Sequence, residues 1–175
     1  MNEKTVLVKK FVACCFKYKD DKAIAARLRR GVITERQPVS LPYIELADCR
    51  WDLIREDHRR IACVIAAMIA NENHAKNGKT PFAAIMAEIY AEREERLSAD
   101  GPGKLRLRRL LAARDVLEVC DFLWRVLRLI QQKSALAIDY ELLITQLLMF
   151  NVDSESVKAQ WTKDYFWHSK KEFDE

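Results

Sequence analysis

Residues 115–132 read DVLEVCDFLWRVLRLIQQ, and their pattern indicates the helix around which the fold is built. Outside one polar stripe it is built almost wholly of apolar side chains. The stripe recurs at three- and four-residue spacing, as on one face of an α-helix, and comprises Glu118, Asp121, Arg125, Arg128 and Gln132. Asp115 with a glutamate three residues later is typical of a capping box, so we expect a helix break near Arg114. The pattern predicts the central helix of the fold.

The segments before this helix also read as helices. One is predicted over residues 4–19, and a second leads from the N-cap residues Asp20 and Asp21 to Gly31. A loop containing Pro38 and Pro42 is expected to follow. Asp48 then caps a long helix, DLIREDHRRIACVIAAMIANEN (52–73), whose apolar second half must be buried. Thr80 as N-cap and Pro81 at the first helical position open a further helix through residue 96.

The C-terminal segments complete an all-α chain of about eight helices. IDYELLITQLLMF (138–150) and the stretch after Asp153 both read as helices, and no strand pattern persists. The 175 residues hold only four glycines and four prolines, which argues against a turn-rich β fold. We expect two packed helical groups, residues 1–100 and 101–175, within one compact unit.

Cysteine usage and hydropathy indicate a cytoplasmic protein. The five cysteines have no CxxC spacing and mostly lie in apolar helical runs, so we expect reduced, buried thiols. No run reaches the roughly 18 apolar residues that a membrane-spanning helix needs, and no signal peptide is recognisable.

No catalytic, metal or cofactor motif emerges. GKT (78–80) lacks the upstream glycine and strand of a phosphate-binding loop. His58, His74 and His168 are far apart and show no zinc-ligand spacing. Two further groups of polar residues lie at predicted helix starts, where helix capping and the helix dipole account for them without a catalytic role. They are the acids Asp48, Asp52, Glu56 and Asp57, and the pair Ser154 and Lys158. The chain is therefore expected to be a non-enzyme without cofactors.

Charge is concentrated rather than large. The net charge is only +4, yet residues 106–115 read RLRRLLAARD. The leucines of this segment share one helical face, whereas Arg106, Arg108 and Arg109 fan across the opposite face with Lys104 at its edge. None of these three arginines has an acid four residues away on its own helix. A solvated face usually mixes both signs, so this face predicts a binding surface.

Arg114 and the tryptophans are interpreted as structural. Arg114 projects from the apolar side, where an unpaired guanidinium is prohibitive, so we expect an ion pair with Asp115, Glu118 or Asp121. Trp51, Trp124 and Trp161 lie on apolar stripes and are expected in the core rather than as stacking platforms for bases.

Four segments taken in order resemble the CasB family, the small subunit of the type I-E CRISPR surveillance complex Cascade. They are ARLRRG (26–31), RLRRLLAARD, IDYELLITQLLMF and VKAQWTKDYF (157–166), and the likeness spans residues 23–167. The resemblance implies an all-α, non-enzymatic subunit, present in two copies beside other Cascade subunits and CRISPR RNA. It places Tyr140, Trp161, Tyr165 and Phe166 in the core.

The resemblance also implies basic surfaces that hold displaced single-stranded DNA and brace the guide RNA and its target without reading bases. By position, the candidates are Arg29, Arg30, Arg106, Arg108 and Arg109, and Lys104 joins them from the edge of the same basic face. An alternative stays open: a protein-interaction scaffold whose arginines meet acidic partner subunits without contacting nucleic acid, since arginine serves both roles.

Overall fold

The computed structural model describes residues 3–46, 53–90 and 101–171. These ranges form nine α-helices, one short 3₁₀ helix and no sheet, which confirms the predicted all-α fold. The α-helices are α1 (Glu3–Tyr18), α2 (Lys22–Arg30), α3 (Gln37–Leu46), α4 (Glu56–Ile69), α5 (Phe82–Ile89), α6 (Pro102–Leu111), α7 (Val116–Lys133), α8 (Tyr140–Phe150) and α9 (Ser154–Lys171). The 3₁₀ helix spans Thr34–Arg36.

Helix α7 lies where the sequence predicts it and packs against α4, α5 and α6. The Asp115 side chain accepts a hydrogen bond from the Glu118 backbone N–H at 2.9 Å. The Glu118 carboxylate reaches back to the Arg114 backbone N–H at 3.0 Å, one residue before the position that a capping box predicts. The buried face of α7 is apolar, and the five predicted stripe residues lie on the opposite, more exposed face.

Helix α4 is buried over most of its length, because α1, α2, α3, α7 and α8 all pack on it. Every residue from Arg60 to Ile69 is buried, as expected for its apolar half. The helix begins later than predicted, at Glu56, because Arg55 has an extended backbone and ends the preceding turn. The proposed cap, Asp48, lies outside the described residues.

The expected loop around Pro38 and Pro42 is helix α3, so that prediction is wrong. Pro38 occupies the first turn, where a missing N–H leaves no intrahelical bond unmade. Pro42 lies inside the helix and removes one such bond. Packing of α3 against α2 and α4 outweighs that cost, and Gly31 allows the close approach. A Cβ atom there would lie 2.6 Å from the Ser40 hydroxyl oxygen.

The segment before α5 pairs with the segment before α8. The Gly78 N–H donates to the Ile138 carbonyl at 2.9 Å, and the Asp139 N–H donates to the Thr80 carbonyl at 3.0 Å. These two backbone hydrogen bonds hold Thr80 in place. Helix α5 begins one residue later than predicted, after Pro81. The helix is also shorter than predicted, because it ends at Ile89 with Tyr90 as its C-cap, and residues 91–96 lie outside the described part of the chain.

The aromatic core forms where α9 lies against α5 and α8. Trp161 is fully buried, stacked on Phe150 at 5.7 Å and edge-on to Phe82 at 5.4 Å. Tyr140 and Tyr165 are also buried, as predicted. Phe166 is 43% exposed, so its assignment to the core is wrong. It follows Tyr165 directly, and adjacent helical positions face different directions.

Four cysteines fall within the described residues, and all are free thiols. Cys15, Cys63 and Cys120 are buried, while Cys14 is half-buried. Burial disfavours the thiolate and raises the pKa of Cys120 to about 12. Cys49 lies outside the described ranges. Among the helices that the structure describes, none is long and apolar enough to cross a membrane.

Candidate nucleic-acid interface

Helix α6 carries the predicted basic face. Leu107 and Leu110 are buried, whereas Arg108 and Arg109 are exposed, as the helical wheel predicts. The helix starts at Pro102, and Gly103 lies so close to Tyr90 and Tyr165 that a Cβ atom there would collide with both. Its leucines and this close approach hold α6 against the fold and turn its guanidinium groups outward.

Two of the α6 arginines lie over aromatic rings. The Arg109 guanidinium carbon is 4.0 Å from the centroid of the Phe122 ring, which belongs to α7. The Arg106 guanidinium carbon is 5.7 Å from the Tyr90 ring centroid, and its Nη1 donates to the Pro102 carbonyl at 3.0 Å. A guanidinium stacked on a ring keeps its N–H edges available and loses less conformational freedom on binding.

A groove of about 440 Å³ runs between α6 and α7. Its walls combine arginines with aromatic and aliphatic side chains. The lining residues are Arg106, Arg109, Phe122, Trp124, Arg125, Val126, Arg128, Leu129 and Gln132. None of these residues is acidic, so four permanent positive charges share one depression with apolar walls. Such an arrangement focuses a positive potential and attracts anionic groups.

The predicted site residues divide into two places. Arg106 and Arg109 line the groove, and Arg108 and Lys104 lie on the same helix without lining it. Arg29 and Arg30 lie on α2, and neither lines the groove. The Arg29 side chain donates two hydrogen bonds, at 2.8 and 3.1 Å, to the Ala70 carbonyl at the end of α4. That contact offers Arg29 a structural role beside any binding role.

Sequence reasoning missed the contribution of α7 to the groove. Arg125 and Arg128 belong to the predicted polar stripe, and their three-residue spacing indicates that both lie on one face of the helix. Trp124 was expected in the core, but it is only half-buried and lines the groove. The Arg125 guanidinium carbon lies 5.4 Å from its ring centroid. Trp51 lies outside the described residues.

Arg114 does form the predicted pair with Glu118, with Nε 3.4 Å from the carboxylate. Its side chain is 87% exposed, so the expectation that it projects from the apolar side is wrong. Helix α6 ends at Leu111, and its helical wheel therefore does not extend to residue 114. The Arg114 backbone N–H, followed by its side chain, lowers the pKa of the Glu118 carboxyl.

Within residues 3–46, 53–90 and 101–171, no group of three or more His, Cys, Asp and Glu side chains is arranged to hold a metal ion. His58 and His74 are half-buried, and His74 Nε2 lies 3.9 Å from the Glu72 carboxylate.

The family of CRISPR-associated protein Cse2 matches residues 25–166 of this chain. A chain from a CRISPR RNA-guided surveillance complex has a similar structure, with a TM-score of 0.67 at 19% identity over 98% of both chains. CasB from Thermus thermophilus has a TM-score of 0.66 at 21% identity, covering 91% of this chain and 97% of its own. CasB from M. ruber has a TM-score of 0.66 at 19% identity, covering 91% and 94%. Among curated proteins, none matches the chain significantly.

Proposed function

The chain belongs to the family of CRISPR-associated protein Cse2, as its resemblance to CasB predicted, and from this membership we propose that it is a subunit of an RNA-guided CRISPR surveillance complex. In this role it is non-catalytic and uses basic helical surfaces to hold the displaced DNA strand and to brace the guide RNA and its target. Its partners are CRISPR RNA, single-stranded DNA, the other subunits of the complex and a second copy of itself.

The observation that carries the proposal is the convergence of four arginines from α6 and α7 on one groove, with no acid among the lining residues that the structure describes. Arginine presents a planar fork of donors that fits phosphate oxygens, and it stays protonated at any physiological pH. Phosphate oxygens are the anions that a nucleic-acid strand repeats along its length. The groove therefore suits a strand better than a single isolated anion.

This chemistry positions a strand without reading its sequence. Contacts to phosphates carry no base information, and in RNA-guided complexes base pairing with the guide supplies the specificity. We extend the binding surface from the groove to Arg108 and Lys104 on α6, and to Arg29 and Arg30 on α2.

Charge reversal in the groove tests the proposal. The variant Arg109→Glu, Arg125→Glu, Arg128→Glu removes three exposed groove cations. The matched control is Lys9→Glu, Lys10→Glu, Arg36→Glu, which changes the net charge equally at exposed positions that do not line the groove. Binding to labelled single-stranded DNA, single-stranded RNA and duplexes is measured over a salt series, with circular dichroism to verify folding.

The groove variant should weaken binding about equally for unrelated sequences. Its slope of log affinity against log salt should shrink by roughly 0.7 per lost contact for a single strand, or 0.9 for a duplex. The control should retain most of the slope. A folded groove variant with unchanged affinity and slope that no longer joins its partner subunits would assign the arginines to a protein interface instead.

A further inference from the structure

We propose that the groove between α6 and α7 holds an unstacked base of a single strand against Trp124, while the surrounding arginines contact the flanking phosphates. This inference rests on the proposed function and adds the kind of ligand that the groove selects. It predicts a preference for single strands that have bases over duplexes and over strands that lack bases.

The groove walls contain more than cations. Phosphate contacts need only cations, yet Phe122, Trp124, Val126 and Leu129 also line the depression. Trp124 is half-buried: part of its side chain packs against the core, and another part lines the groove. A ligand with a flat apolar face and anionic neighbours satisfies both the rings and the guanidinium groups.

Planar groups lie next to one another in the groove. Arg109 lies over Phe122 at 4.0 Å, and Arg125 lies beside Trp124 at 5.4 Å. Bases in single strands stack on aromatic side chains and also on guanidinium planes. The groove thus offers a set of preordered planar surfaces, with N–H edges beside them for phosphate oxygens.

The size of the groove also fits a single nucleotide. A volume of about 440 Å³ lies within the range of roughly 300–1,000 Å³ that small-ligand pockets occupy. This space suits one nucleotide rather than a helix of paired bases. Bases of a duplex are already stacked on their neighbours, so a duplex can offer the groove only its phosphates. An acidic peptide would satisfy the arginines but has no π face to match Trp124.

The test uses the full chain and three probes of equal length: labelled oligothymidylate, an abasic single strand with the same phosphates, and a duplex. Stacking on an aromatic side chain contributes a factor of roughly 5 to 140 in affinity per base. Oligothymidylate should therefore bind more tightly than the abasic strand by a factor in that range.

The decisive variant is Trp124→Leu, which keeps an apolar side chain and removes the plane. Its affinity for oligothymidylate should fall to near that for the abasic strand, while abasic and duplex binding and the salt slope stay unchanged. Trp124→Phe should restore part of the preference. The matched control is Trp167→Leu, because Trp167 is 59% exposed on α9 and does not line the groove. It should leave all three affinities unchanged.

Two results would overturn the inference: equal affinity of the native chain for oligothymidylate and the abasic strand, or no effect of a folded Trp124→Leu. If the groove charge reversal still weakens binding in either case, the proposed function stands and only the stacked base is lost. If charge reversal has no effect, the proposed function fails first. Displacement of oligothymidylate by an oligoglutamate peptide at similar concentration would also overturn the inference, since it would show that charge alone is recognised.

Discussion

The regions around Trp161 and Trp124 have similar sequence patterns and different structures. Both tryptophans lie on apolar stripes of long helices. Trp161 is enclosed between Phe82 and Phe150, and its indole N–H donates to the Gln146 side chain at 2.8 Å. Trp124 is half-buried and lines a groove beside Arg125. An aromatic residue on an amphipathic helix therefore becomes part of the core only where another element covers it.

The arginines around α7 differ in the same way. Arg60 approaches α7 from α4 with its side chain only 7% exposed, and it donates to Asp121 at 2.8 Å and to the Val32 carbonyl at 2.7 Å. Arg125 and Arg128, on α7 itself, are exposed and line the groove. Where neighbouring helices cover an arginine, protein groups use its donors, and where they do not, the donors remain available to a ligand.

The largest expected effect comes from the covered tryptophan. Trp161→Ala should lower the free energy of unfolding by about 3 to 5 kcal/mol, because it leaves a large cavity among packed rings. It also removes the indole N–H that donates to the side-chain oxygen of Gln146. Trp124→Ala should cost less, about 1 to 2 kcal/mol, because Trp124 is only partly buried and its removal widens an open groove instead of leaving an enclosed cavity. Urea denaturation of both variants measures the difference, and equal losses would mean that Trp124 is covered after all.

The second effect concerns the covered arginine. Arg60→Ala should lower stability by about 2 to 4 kcal/mol, because it breaks a charged hydrogen bond and leaves the Val32 carbonyl without that partner. Arg125→Ala is the comparison and should cost less than about 1 kcal/mol. Similar losses for the two variants would contradict the distinction between the covered Arg60 and the exposed Arg125.

A smaller effect is expected at the start of α4, where Asp57 links this helix to the residue that follows α8. Its carboxylate accepts hydrogen bonds from Arg55, from the His58 backbone N–H and from Asn151, which follows α8. The Arg55 guanidinium, as the main cause, lowers the pKa of Asp57 from its ordinary 3.8 to about 2. Asp57→Asn should therefore cost about 1 kcal/mol at neutral pH.

The sign of the pH dependence follows from that shift. The folded state binds the Asp57 proton more weakly than the unfolded state, so ionised Asp57 stabilises the fold above about pH 4. This contribution should disappear as the pH falls towards 2, and the native chain and Asp57→Asn should then be equally stable. Urea titrations at several pH values test the convergence. A stability difference that persists unchanged at low pH would exclude this origin.

The smallest expected effect is that of Arg114→Ala. Its ion pair with Glu118 is exposed, and exposed pairs contribute little to stability because water and salt screen them. The denaturation midpoint should move less than in any variant above, and nucleic-acid binding should stay unchanged. A loss comparable to that of Arg60→Ala would restore the buried role that the sequence predicted.

The helices that depend on local periodicity and capping residues can be predicted from the sequence alone. The apolar periodicity of residues 116–132 predicts α7, and the carboxylates of Asp21 and Asp115 predict the starts of α2 and α7, because each signal acts within one or two helical turns. The continuous apolar half of α4 predicts its complete burial for the same reason. The basic face of α6 was also readable, since Arg106, Arg108 and Arg109 alternate with leucines on one helix.

Which of these helical faces are covered depends on how the helices pack in the tertiary structure. The helix through Pro42 persists because α2 and α4 pack on α3, and no local signal reports that contact. The groove exists because α6 lies beside α7 and brings Arg106 and Arg109 next to Arg125 and Arg128. Periodicity shows which way a side chain points along its own helix. Whether it meets another helix, a carbonyl or water depends on residues distant in the chain, whose positions result from the packing of the whole fold.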